Sequence, residues 1–171
     1  EAREKIATFI DCAPSEIIFT GSGTEADNLA IKGLYWKSGK KVIVISAFEH
    51  KAVLEPAEWL VEKEGAELIQ IPITKDGIID LVFLKGLVAK RGSEIALISV
   101  MHSNNEIGAI QPIDKVIEIA GDIPVHSDAV QSLLKVPVSF KGLTALSISA
   151  HKVGGPVGVG ALVLKRGLDI P

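Results

Sequence analysis

Lys152 has the widest chemistry open to it. It follows His151 at the end of a short, mostly apolar run, Ala145 to Ala150, that reads as a buried strand. A stretch with four glycines and a proline comes next, and Gly160-Ala-Leu-Val-Leu164 reads as a second strand. Active sites of open α/β sheets lie beyond the carboxyl ends of their strands. A lysine held there, partly desolvated, can lose its proton and form an imine with a carbonyl. The plainer alternative is a loop lysine ahead of a turn.

Other polar clusters fall where strands are expected to end. Gly21-Ser-Gly-Thr-Glu-Ala-Asp-Asn28 lies between a strand and a helix. Its glycines would expose backbone N–H groups at a helix N-terminus, a combination that binds phosphate. Thr24 is expected to act as helix cap, as phosphate donor, or as both. The same segment fits Gly-x-Gly-x-x-Ala at Gly21, Gly23 and Ala26, a variant of the dinucleotide fingerprint, and Glu49 lies at roughly the distance expected of a ribose ligand. Phe48-Glu-His-Lys51 supplies His50, which could stack on a planar ligand or move a proton. His102-Ser-Asn-Asn-Glu-Ile-Gly108 offers amide hydrogen bonds, although asparagines are also common in turns. His126-Ser-Asp-Ala-Val-Gln131 puts Asp128 directly after a strand, where a carboxylate could hold a pyridinium nitrogen, a metal or a ribose. His126 and Asp128 are too poorly spaced for a metal site, and none is expected.

The elements that must position these residues alternate along the chain. Helical spacing over residues 2 to 11 precedes a strand at Ile17-Ile-Phe-Thr20. A helix from Glu25 to Trp36 stops near Gly39. Strands at 41–46, 67–71, 95–100 and 124–127 alternate with helices at 53–63, 81–90 and 112–120. Short Val/Ile-rich strands covered on both faces suit a parallel sheet. The expectation is an α/β domain, 1–171, with a mainly parallel sheet and helices on both faces.

Composition narrows the function classes. Hydrophobic residues make up 47% of the 171, and the net charge is −3, which provides no basic surface for nucleic acid. Mean hydropathy is +0.36. No apolar run approaches the ~18 residues of a membrane span. A single cysteine, Cys12, excludes a disulfide framework and suits a reducing compartment.

Pyridoxal phosphate combines the clusters. It needs a lysine, a carboxylate at its ring nitrogen and a phosphate cradle, which Lys152, Asp128 and the Gly21–Thr24 loop would supply. A dinucleotide fold would use only the first loop and leave Lys152 without a task.

The motifs then resemble a family, the cysteine desulfurases within the class V aminotransferase group of fold-type I pyridoxal phosphate enzymes. The matching segments are Ile18 to Gly33, Glu49-His-Lys-Ala-Val53, Gly77-Ile-Ile-Asp80, Met101 to Gly108, His126 to Ser132, and Ser149-Ala-His-Lys152 with Gly155-Pro156 and Gly158 to Leu162. The resemblance implies that Lys152 carries the cofactor, Asp128 pairs with the pyridine nitrogen, and His50 stacks on the ring and helps with protons. It implies that Gln131 bonds the ring hydroxyl, that Gly23, Thr24, Ser149 and His151 hold the phosphate, and that Asn105 contacts the cofactor and the substrate carboxylate. The implied reaction converts L-cysteine to L-alanine and passes sulfur to an enzyme cysteine, for iron–sulfur or thiolation pathways. A cytoplasmic homodimer with a sulfur-acceptor or scaffold partner is implied as well.

The sequence departs from the family in several places. The family's nucleophilic cysteine, its carboxylate-binding arginine, its small C-terminal domain and its N-terminal segment have no counterpart here. Val157 stands where lysine is common, and Gly154 where a bulkier residue is usual. The expectation is therefore a cofactor domain, inactive alone. The alternatives are a selenocysteine lyase or another class V member, a dinucleotide-binding domain, or a non-catalytic binding remnant.

Overall fold

A computed structural model describes all 171 residues. Its elements are α1 (Ala2–Ile10), β1 (Ile17–Thr20), α2 (Gly23–Ser38), β2 (Val42–Ser46), α3 (Lys51–Glu64), β3 (Glu67–Ile71), α4 (Leu81–Arg91), β4 (Ile95–Ser99), α5 (Ile113–Ala120), β5 (Val125–Asp128), β6 (Ala145–Ser149) and β7 (Gly160–Leu164). Helix ends follow local chemistry. Asp80 caps α4 by accepting from the Val82 and Phe83 amides, and Gly39 and Gly65 close α2 and α3 in the left-handed conformation.

The seven strands form one sheet in the order β1-β7-β6-β5-β4-β2-β3. All pairs are parallel except β7, which runs antiparallel to both β6 and β1. The cause is the connection. Residues 150–159 form a loop with no crossover helix, so the chain returns beside β6 in the opposite sense. The second reversal, from β7 to β1, restores the original direction. β1 therefore ends on the same edge as β2, β4, β5 and β6.

Alternation along the strands divides the core into two layers. On one face Ile43, Ile45, Leu97 and Leu162 meet α2 and α3 through Ala26, Ala30, Ile31, Leu34, Val53, Ala57 and Leu60. On the other, Val42, Val44, Ile98, Leu146 and Val163 pack with residues of α1, α4 and α5, including Ile10, Leu84 and Val116. The mainly parallel sheet with helices on both faces matches the expectation. Burying a Leu or Ile of this kind stabilises the fold by about 1.5–3 kcal/mol.

The dinucleotide alternative fails on topology. Its first two strands must lie side by side in a parallel sheet. Here β1 is an edge strand, and β2 lies near the opposite edge. Glu49, the supposed ribose ligand, instead has its carboxyl group buried against Ser46 and Met101.

Candidate active site

At the carboxyl edge of the sheet a cavity of about 210 Å3 is lined by Gly23, Thr24, Asp27, His50, Ala52, Met101, Asn105, Asp128, Val130, Gln131, Ser149, His151 and Lys152. All nine residues that the family resemblance assigns to the cofactor are in this set. The two reversals around β7 are what bring Gly23 and Thr24, after β1, to the same place as Ser149, at the end of β6.

The glycine turn is packed against backbone. Gly160, the first residue of β7, pairs with Thr20 on one side and Ser149 on the other. A Cβ built there would lie 2.5 Å from the Ser22 carbonyl carbon and 2.8 Å from the Gly23 nitrogen. A Cβ on Gly23 would lie 2.7 Å from Val130 Cγ2 and 3.2 Å from Ser149 Cβ. Both glycines are needed for the close approach, rather than for an unusual backbone angle.

Ser22, not Thr24, caps α2: its hydroxyl accepts from the Glu25 amide at 3.0 Å. Glu25 reaches back to accept from the Gly21 amide at 2.7 Å. Thr24 lies inside the first turn of the helix and lines the cavity. The cap and the cavity-lining residue are thus different residues.

At the end of β6 the Ser149 hydroxyl and His151 Nδ1 are hydrogen-bonded at 2.8 Å. Lys152 lies on the single 3-10 turn His151–Val153. It is exposed rather than partly desolvated as expected, because the turn stands at the rim beside an exposed loop in which Val157 is 88% accessible. His50 is also exposed and caps α3, its Nδ1 accepting from the Ala52 amide at 3.1 Å. That bond occupies Nδ1 as an acceptor, so the neutral ring carries its proton on Nε2. α3 consequently begins two residues earlier than its apolar pattern suggests.

The floor of the cavity is acidic and buried. Asp128 is 2% exposed, and its Oδ1 accepts from the Val130 amide at 2.9 Å. Burial pushes its carboxyl up to about 7, and the neighbouring Asp27 adds to the rise. Asp27, on α2, is 1% exposed, and its Oδ1 has no hydrogen-bond partner. Burial likewise pushes Asp27 up to about 7. Behind them His126 is fully buried between Ser99 (Nδ1, 2.9 Å) and Ser147 (Nε2, 2.9 Å), and its Nε2 is 3.5 Å from Asp27. Burial pushes this histidine down to about 4, so it is neutral near pH 7. The pair Asp27 and Asp128 can thus hold a proton at neutral pH beneath the cavity.

The polar loop after β4 divides. Asn105 lines the cavity, whereas His102 faces a separate recess with Asp11, Gln111 and Asp114. No group of three or more His, Cys, Asp or Glu side chains is arranged to hold a metal ion. No helix is long and apolar enough to cross a membrane. Cys12 is half-buried in another recess beside Thr8 and Glu16, its thiol pushed up to about 11 by burial and then by Glu16.

Asp27 is the polar lining residue that sequence reasoning missed. A signal was available. Asp27 follows Gly23 by four residues, one helical turn, and so shares its face. Ala52, Met101 and Val130 carried no comparable signal.

Comparison with known proteins agrees with this architecture. A family model described as Aminotransferase class-V matches residues 1–170. The chain is 45% identical over 175 residues to an IscS-like cysteine desulfurase of Mycobacterium tuberculosis, an alignment covering 97% of this chain and 44% of that protein. Among solved structures, a NifS-like protein superposes with a TM-score of 0.92 at 37% identity, covering 99% of this chain and 47% of its own. SspA in complex with cysteine superposes with a TM-score of 0.89 at 37% identity, covering 96% and 48%. The chain spans a little under half the length of these relatives. Its sheet has the fold-type I arrangement expected from the motifs. With all but its final residue matched by the family model, the chain belongs to the class-V aminotransferase family.

Proposed function

We propose that residues 1–171 are the cofactor-binding large domain of a pyridoxal phosphate-dependent cysteine desulfurase. The observation that carries the proposal is that Lys152, Asp128 and the Gly23–Thr24 turn, each placed at a strand end by its own local pattern, line one cavity at the carboxyl edge of the sheet, together with the other residues the family resemblance assigns to the cofactor. The donor set suits the cofactor at each end. The hydroxyl and imidazole groups of Thr24, Ser149 and His151 gather at the N-terminus of the 16-residue helix α2, whose free amides and positive end suit an anion. A proton-holding carboxyl pair lies at the floor, its Asp27 Oδ1 still without a partner, and an exposed amine stands at the rim.

Bound there, pyridoxal phosphate supplies an electron sink for bonds broken next to a substrate amine. The chain's own residues have distinct tasks. Gly23, Thr24, Ser149 and His151 hold the phosphate. Lys152 supplies the anchoring amine. Asp128, with Asp27 beside it, holds the proton at the ring nitrogen, and Gln131 bonds the ring hydroxyl. His50 stacks on the ring and moves a proton at Nε2, because Nδ1 is engaged by the helix cap. Asn105 orients the cofactor and the substrate carboxylate. L-cysteine is the substrate, L-alanine the product, and the sulfur passes to a thiol. Cys12 is not that thiol: it lies in another recess and stays protonated at neutral pH. The same reading includes a cytoplasmic homodimer that hands sulfur to an acceptor protein.

Addition of pyridoxal phosphate to the purified chain is expected to raise its melting temperature and produce a visible absorbance band. Borohydride should fix the cofactor to a peptide containing Lys152, and Lys152→Ala should show no band. A wild-type chain with neither band nor thermal shift would overturn the proposal.

A further inference from the structure

Glu49 is a buried acid that the chemistry above does not use. It sits in the loop between β2 and α3, one residue before His50. Beyond β4 the backbone continues to pair with β5 on one side: the Val100 amide donates to the His126 carbonyl, and the His102 amide to the Asp128 carbonyl. The intervening Met101 amide points the other way, toward β2. The β2–β4 ladder ends at the Ile45–Ser99 pair, while Ser46 and Ala47 turn their pairing to β3, so the Met101 amide takes a side-chain oxygen rather than a β2 carbonyl. Glu49 Oε1 accepts from this amide at 2.7 Å and also takes the Ser46 hydroxyl. A second tie joins the same loops, from Asn104 Nδ2 to the Phe48 carbonyl at 3.0 Å.

We propose that Glu49 is a positioning residue: its buried carboxyl group stands in for the missing strand partner of Met101 and so sets His50 and Asn105, on the two loops it joins, relative to each other at the cavity. The role rests on the cofactor-site reading for its purpose, but the tie itself belongs to the protein alone. Glu49 Oε2 is buried without a partner. Burial pushes the acid up to about 8, Ser46 and the Met101 amide oppose the rise, and Asp128 and Asp27 add to it. Glu49 is thus largely neutral at pH 7. A neutral acid can be replaced by its amide without loss of the Oε1 acceptor, so glutamine should preserve the tie and alanine should sever it.

Amide hydrogen exchange and pyridoxal phosphate titration, measured on wild type, Glu49→Gln and Glu49→Ala, test the proposal. Without cofactor, the Met101 amide should be protected in wild type and Glu49→Gln, and exchange at least tenfold faster in Glu49→Ala. With cofactor, Glu49→Ala should bind about tenfold more weakly, with an altered visible spectrum, and Glu49→Gln should match wild type. If Glu49→Ala does not fold, Glu49→Asp provides the comparison, because its oxygen is drawn back by one methylene. Equal Met101 protection, or equal affinity and spectrum, in wild type and the severed variant would overturn the inference. Failure of wild type to bind the cofactor would instead overturn the cofactor-site reading, while Met101 exchange would still test the tie.

Discussion

At the amino-terminal edge of the sheet, where β3 and β4 begin, Arg91 donates to both oxygens of Glu67 at 2.6 and 2.7 Å and to both of Glu94 at 3.1 and 2.7 Å. At the carboxyl edge the carboxyl groups of Asp27, Glu49 and Asp128 lie buried, with Asp27 Oδ1 and Glu49 Oε2 lacking a hydrogen-bond partner. The first cluster is fully paired and solvated. Its hydrogen bonds to Arg91 hold both glutamates below their usual range. The second cluster is poorly paired and buried, and its acids are pushed up by desolvation. Good pairing in water contributes little to stability, and poor pairing in a dry site costs much. The same sheet therefore spends its charges for opposite ends: exposed ion pairs at one edge, poised protons at the other.

The largest test of this contrast is steric. Gly160→Ala drives a methyl group into the Ser22 backbone and is expected to destabilise the fold by about 3 kcal/mol while weakening cofactor binding. The matching change at the quiet edge is Gly92→Ala. Its Cβ would meet nothing closer than 3.6 Å, on an ordinary helical backbone. It should be neutral or stabilising, by up to about 1 kcal/mol. Denaturant melts of the two variants side by side would check the pair; equal losses would remove the distinction.

Next in size is the carboxyl pair. Asp27 rises from 3.8 to about 7 on folding, so the folded state holds its proton more tightly than the unfolded one. Its contribution to stability is greatest below about pH 4 and is lost as pH rises to about 7. Asp27→Asn removes that loss. At pH 8 the variant should be more stable than wild type, by on the order of 2–4 kcal/mol, with the advantage gone below pH 4. His126, pushed down to about 4, drives stability the opposite way only at acid pH; at pH 8 it is neutral in both proteins, and the gain there also includes relief of Asp128, whose carboxyl group Asp27 helps push up. Unfolding curves at several pH values would reveal the trend, and a pH-independent difference would contradict it. The smallest effect belongs to the paired edge: Glu67→Gln should shift the melting temperature only slightly, and added salt should erase the shift.

Much of this organisation is visible in the residues themselves. Val42-Ile-Val-Ile-Ser46 and Ile95 to Ser99 are apolar on both faces and rich in β-branched residues, which suits parallel strands covered on both sides. Residues just after such strands share an edge by geometry, which is why His50, Asn105, Asp128 and Lys152 could be grouped without coordinates. Ser22 was legible but overlooked: Ser22-Gly-Thr-Glu25 fits the S-x-x-E capping signature, which would have freed Thr24 for the cavity from the start. Asp27 was harder to read. In a polar run near a helix N-terminus, an aspartate looks like a solvated partner of the helix dipole. Only the packing of α2 across β5 and β6 buries it against His126. The exposure of Lys152 was illegible for the converse reason, since the turn that carries it is set by the path of the loop into β7.

That path has a consequence for synthesis. β1 has no neighbour other than β7, which is made about 140 residues later. A nascent chain emerging from the ribosome carries its glycine turn on an unpaired strand until residues 160–164 arrive, whereas β2 and β3 can pair long before. Assembly of this domain should therefore finish where its sequence began, with the first strand locked in last.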